Sequence, residues 1–136
     1  MADRYVFDAY TFVAFFLDQP GAGSVEAILS DETNEVFVSA INLGEVHYIL
    51  QRRGGADAAE RAVTTILQQP NVRVVEATWE RTKAAAVIKA EGGVSYADAF
   101  AAALAREQQS PLVTGDPEFE RLEQRGMVRV VWLARR

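Results

Sequence analysis

The chain has 136 residues, a formal net charge of -5, no cysteine and a single histidine, His47. Without cysteine there are no disulfides, no thiolate nucleophiles and no Cys-ligated zinc, and one histidine cannot build a His-rich zinc site, so any metal here is held by oxygen. No apolar run reaches the roughly 18 residues that cross a bilayer, the N-terminus lacks the basic start and cleavage site of a signal peptide, and the reading is a cytoplasmic protein of one domain, residues 1–136, with no membrane partner.

In chain order, short β-branched runs alternate with longer stretches of helical period. The strand candidates are YVF before Asp8, EVFVS at Glu35 to Ser39, VRVVE at Val72 to Glu76, PLVT at Pro111 to Thr114, and VRVVWL at Val128 to Leu133. Helix candidates cover Thr11 to Leu17, Ser24 to Ser30, Ile41 to Arg53, Asp57 to Gln69, Thr78 to Glu91, Ala97 to Gln108 and Pro117 to Arg125. The breaks QPGAG, RRGGA, QQPN and EGG fall between these segments, as Gly and Pro punctuation should. Alternation of apolar strands with helices predicts an α/β fold, Rossmann-like, with a central parallel sheet of about five strands covered by helices on both faces. Ligands in such folds sit beyond the carboxyl ends of the strands.

Four acids are candidates for such a site, Asp8 and Asp116 at strand ends, Asp98 at a helix start and Glu45 on the helix after the second strand. Asp8 interrupts the apolar stretch YVFDAYTFVAFF directly after the first strand, where an ionised carboxylate out of water needs compensation. It can cap the helix that follows. Glu45 lies three residues after Asn42 on one face of the third helix, with His47 turned to another side. Asp98 stands three residues after Ser95 in a capping-box arrangement that opens an alanine-rich helix. Asp116 closes PLVTGD and precedes Pro117, a favoured first helical residue, while Thr114 brings a hydroxyl to the same strand end. Each acid has a local structural account; as a set, all four can converge on one edge. Convergent carboxylates repel unless divalent cations lie between them, and Mg²⁺ or Mn²⁺ suits oxygen donors.

The order D…E…D…TGDxxF, carried by VFDAYTFVAFFLDQPGA, VSAINLGEVHYIL, VSYADAFAAALA and LVTGDPEFERL between Tyr5 and Leu122, resembles the PIN domain and in particular the VapC-type toxins of toxin–antitoxin pairs. The resemblance implies RNA cleavage at an acidic quartet, Asp8, Glu45, Asp98 and Asp116, around Mg²⁺ or Mn²⁺, with Thr114 supporting and with 5′-phosphate and 3′-hydroxyl products. On this likeness Asp8 and Asp98 are the firmest metal ligands. Asp116 is a second-site or water-mediated ligand and Glu45 a ligand or water-orienting base, two roles that can be exchanged. It also implies a homodimer and a small VapB-like antitoxin lying in an apolar groove, for which Phe12, Phe15 and Phe16 are candidates, although such a stripe is more often core. Many relatives carry Ser or Thr two residues after the first Asp; here that position is Tyr10, followed by Thr11. The rival reading is a PIN-like module with little turnover that binds RNA or protein. DxD after the first strand, an acidic pair before a receiver aspartate, a P-loop and GxGxxG are all missing.

The basic residues Arg52, Arg53, Arg73, Arg81, Lys83 and Lys89, and the pair Arg135 and Arg136, read mainly as solvated charge, with Tyr10 and Arg52-Arg53 as candidate RNA contacts.

Overall fold

The structure is a computed structural model that describes residues 3–134; the pair Arg135 and Arg136 lies outside the described residues. Five strands, β1 (Arg4–Phe7), β2 (Glu35–Ser39), β3 (Val72–Val75), β4 (Leu112–Thr114) and β5 (Val130–Trp132), form one sheet in the order β3-β2-β1-β4-β5. All four neighbouring pairs are parallel. Among the described residues seven helices connect them: α1 (Ala9–Phe16), α2 (Ala22–Ser30), α3 (Ala40–Gly54), α4 (Ala56–Gln68), α5 (Trp79–Ala90), α6 (Tyr96–Gln108) and α7 (Glu120–Gln124), the last preceded by a 3₁₀ turn over Pro117–Phe119.

Strand alternation sorts the core into two layers. Val6, Phe37 and Leu112 pack with Ile88, Leu104 and Leu122 on the face covered by α5, α6 and α7. Phe7, Val36, Val38 and Val113 pack with Phe12, Leu29, Leu50 and Ile66 on the face covered by α1 to α4. The alanines of α6 explain its central place. Ala99, Ala101, Ala102, Ala103 and Ala105 are all buried, and their small size lets α6 lie close to β1, β2, α3 and α5 together.

The elements differ from the sequence expectation mainly at their ends. α1 begins at Ala9 instead of Thr11, because Asp8 itself accepts the Thr11 N–H and starts the helix at once. The segment expected as one helix from Pro117 divides, since the Phe119 N–H bonds the Asp116 carbonyl in a tighter i+3 turn before α7. β5 is shorter than VRVVWL, holding only Val130–Trp132. Several basic residues are paired or stacked at the surface: Arg73 with Glu35, Arg81 with Glu107, Lys89 on the Val94 carbonyl, and Arg52 over the Tyr48 ring.

Candidate metal centre

From β1 the chain order leads to β2 on one side, while β4 takes the other side, so a crevice opens at the carboxyl ends of β1 and β4. The register pairs Phe7 with Val113, which sets Asp8 opposite Thr114. Asp8 is 2 % exposed. Its Oδ1 accepts the Thr11 backbone N–H at 3.0 Å, and its Oδ2 accepts the Thr114 hydroxyl at 2.6 Å across the crevice. The Thr11 hydroxyl donates to the Val113 carbonyl at 2.6 Å and lies 3.0 Å from the same Asp8 Oδ1, tying α1 to β4. Thr114 in turn accepts the Asp116 N–H at 3.0 Å. A hydrogen-bonded line therefore runs from the Asp116 backbone through Thr114 to Asp8.

Burial raises the Asp8 pKa from 3.8 to about 6; the hydrogen bonds from Thr114 and Thr11 oppose the rise, and the charge of Asp116 adds to it. Asp8 is thus both cap and buried acid, and capping compensates only part of the cost of desolvation.

Asp98 stands in the first turn of α6, where the Ser95 hydroxyl accepts its N–H at 3.1 Å. Only 8 % of it is exposed. Burial, then a hydrogen bond with Glu118, then the charges of Asp116, Asp8 and Glu118, push its pKa up to about 8. Oxygens of Asp98, Asp116 and Glu118 lie within 4.8 Å of one another. Glu118 is the member that sequence reasoning missed. It follows Asp116 by two residues, and the Asp116 Oδ1 accepts its N–H at 3.0 Å, so the 3₁₀ turn brings its carboxylate back over the cluster. The signal was the spacing D-P-E in a helix-starting turn, which reads equally well as ordinary first-turn acid.

Glu45 approaches from α3 and is half-buried. Its Oε1 accepts from Asn42 Nδ2 at 2.9 Å, and the same fully buried amide also donates to the Ala97 carbonyl at 3.1 Å, joining α3 to α6 one residue before Asp98. Burial raises the Glu45 pKa, the Asn42 bond lowers it, and the Asp116 charge raises it. Glu45 therefore faces the cluster electrostatically but stands outside the close group of three. His47 turns away, 3.1 Å from Glu60.

The donor set fits a hard divalent cation. The converging groups are carboxylates, and the upward shifts at Asp8 and Asp98 come first from desolvation and then from neighbouring negative charge, Asp116 acting on both, which a cation would relieve. A family model of the PIN domain matches residues 5–124. The chain belongs to the PIN domain family. A comparison with curated proteins finds no match. Among solved structures, the PIN domain is similar to Mycobacterium tuberculosis VapC20, described as a sarcin-ricin loop cleaving toxin, at 24% identity and TM-score 0.71, covering 86% of this chain and 93% of that one. It is also similar to a VapBC2 chain of Rickettsia felis, solved bound to a DNA fragment from its promoter, at 15% identity and TM-score 0.74, covering 96% and 99%. A DNA-bound VapBC chain of Salmonella typhimurium gives 18% identity and TM-score 0.74, covering 95% and 97%. At these identities the likeness establishes the shared fold. No helix among the described residues is long and apolar enough to cross a membrane.

Proposed function

We propose that this PIN domain is a Mg²⁺- or Mn²⁺-dependent endoribonuclease, the toxin of a VapC-type toxin–antitoxin pair. The observation that carries the reading is the buried Asp8, held by Thr114 across the β1–β4 crevice, where the charge of Asp116 acts on it and its own charge acts on Asp98. Asp8, Asp98 and Asp116 are the residues assigned to hold the cation. A divalent cation bound there supplies charge to polarise the scissile phosphate and to acidify water near neutral pH. Thr114 fixes the Asp8 carboxylate while taking its own orientation from the Asp116 N–H. Glu45, steadied by Asn42, stands at the side of the cluster, suited to receive a proton from the attacking water, and its raised pKa suits that role. Glu118 shares a hydrogen bond with Asp98 and gives the cluster a further acceptor. In-line attack would leave a 5′-phosphate and a 3′-hydroxyl.

Partner binding is proposed on separate surface. Phe12, Phe15 and Phe16 all border a cavity of about 150 Å³ with Leu29 and Ile66, but Phe12 is 1 % exposed and belongs to the core, whereas Phe15 and Phe16 are half-buried. An adjoining cavity of about 480 Å³ carries Leu17, Leu50, Arg53 and Arg61. An apolar groove with two arginines suits an antitoxin segment that combines aliphatic and acidic side chains. α3 and α6 leave Ile41, Tyr48 and Tyr96 between 38% and 46% exposed, which supports association of two copies.

The test of the enzymatic reading incubates purified protein with structured RNAs and Mg²⁺ or Mn²⁺, beside Asp8→Asn. The reading expects cleavage by the wild type alone, with 5′-phosphate ends. Equal cleavage by both proteins would expose a contaminant, and no cleavage by either over a broad RNA panel would favour the binding-module reading.

A further inference from the structure

Tyr10 occupies the first turn of α1, two residues beyond Asp8. Its ring lies against Gly115, the residue between Thr114 and Asp116. A β-carbon at Gly115 would overlap Tyr10 Cε1 and stand 2.8 and 2.9 Å from Cζ and Oη. Gly115 does not have a left-handed backbone, so the ring above it, and not its φ, is what calls for glycine. One side of the tyrosine is thereby fixed on the backbone that joins two residues of the metal centre. Tyr10 nevertheless keeps 39% of its surface exposed.

A large aromatic side chain that rests on backbone at one edge and is partly exposed loses less conformational freedom than a free one when a flat group stacks on it. Its neighbours make the identity of that group specific. The acids of the cluster repel a phosphodiester, so a nucleotide held here needs neutral contacts beside those of a cation. Base–aromatic stacking supplies such a contact and is indifferent to the identity of the base.

We propose that Tyr10 is the stacking platform for the nucleobase adjoining the phosphate to be cleaved. It follows that this base is unpaired when bound, which restricts the substrate to single-stranded or looped RNA at the cleavage point. The proposal rests on the ribonuclease reading.

Its test is fluorescence anisotropy with a short labelled single-stranded RNA of mixed sequence, with Ca²⁺ in place of Mg²⁺ to hold back turnover. Tyr10→Ala and Tyr10→Leu weaken binding about tenfold, and Tyr10→Phe restores it to within about twofold of wild type. An abasic ribose-phosphate chain of the same length binds all four proteins alike. Leucine is the discriminating variant, since it covers Gly115 without offering an aromatic face. Full binding by Tyr10→Leu or Tyr10→Ala, with unchanged melting temperature, would overturn the platform and leave the ribonuclease reading standing. Failure of the wild type to bind any RNA would overturn both.

Discussion

Replacement of Asp8 by asparagine is expected to stabilise the metal-free protein near pH 8 and to lose that effect near pH 4. The Asp8 pKa rises from 3.8 to about 6 on folding. The folded state therefore holds this proton more tightly than the unfolded chain does, and stability falls as pH climbs from about 4 through 6, with the full cost present above that window. Roughly two pKa units correspond to about 3 kcal/mol. Asparagine carries no charge, caps a helix as well as aspartate, and keeps an acceptor for the Thr11 N–H. What it loses is the acceptor for the Thr114 hydroxyl, worth about 1 kcal/mol. The net gain is about 2 kcal/mol, or about 7 °C in melting temperature for a chain of this size. Thermal melts in EDTA at the two pH values measure it. An Asp8→Asn shift that is the same at both, or destabilisation at the higher pH, would refute the assignment of Asp8 as a desolvated carboxylate. Saturating Mg²⁺ or Mn²⁺ should reverse the order near pH 8, because a ligand at about 100 times its Kd adds about 2.7 kcal/mol to the protein that binds it.

Three further predictions concern packing and the apolar groove. Gly115→Ala is expected to destabilise by roughly 0.5–1.5 kcal/mol, because the Tyr10 ring must move from its place to admit the methyl group, and Tyr10→Ala in the same chain should recover most of that loss, a coupling that a double-mutant cycle of denaturant melts reads directly. Phe12→Ala should cost about 3–5 kcal/mol, the range for truncating a fully buried phenylalanine. Phe16→Ala should cost under about 1.5 kcal/mol and weaken capture by a co-expressed antitoxin, measured by gel filtration of the pair.

Period and punctuation made the architecture legible. EVFVS runs from Glu35 to Ser39 both as a pattern and as a strand, because its alternating side chains serve two core layers, Phe37 on one face and Val36 and Val38 on the other. Helix ends were legible where a cap announced them, as at Ser95; at Asp8 the cap was legible too, but the helix starts at Ala9, directly after it, and not at Thr11. At the site, Asp8, Asp98 and Asp116 were visible as acids at strand and helix ends, and Glu45 as an acid on a helix face. Their arrangement was not, since it depends on contacts over long sequence distance: Thr114 reaches Asp8 over 106 positions and Asn42 reaches Ala97 over 55. Glu118 went unseen because a single sequence does not distinguish an acid that turns back into the cluster from one that merely favours a helix start. Tyr10 looked like a departure from the serine or threonine of many relatives; in three dimensions its ring lies against the glycine of TGD, and it is the next residue, Thr11, whose hydroxyl stands 3.0 Å from Asp8 Oδ1.

The central claim is that these carboxylates hold a catalytic divalent cation, and anomalous diffraction from crystals soaked in Mn²⁺ tests it most directly. The account predicts a peak in the β1–β4 crevice at coordination distance from Asp98 and from Asp8 or Asp116, lost in Asp98→Asn crystals. A crevice without a peak at saturating Mn²⁺ would contradict it.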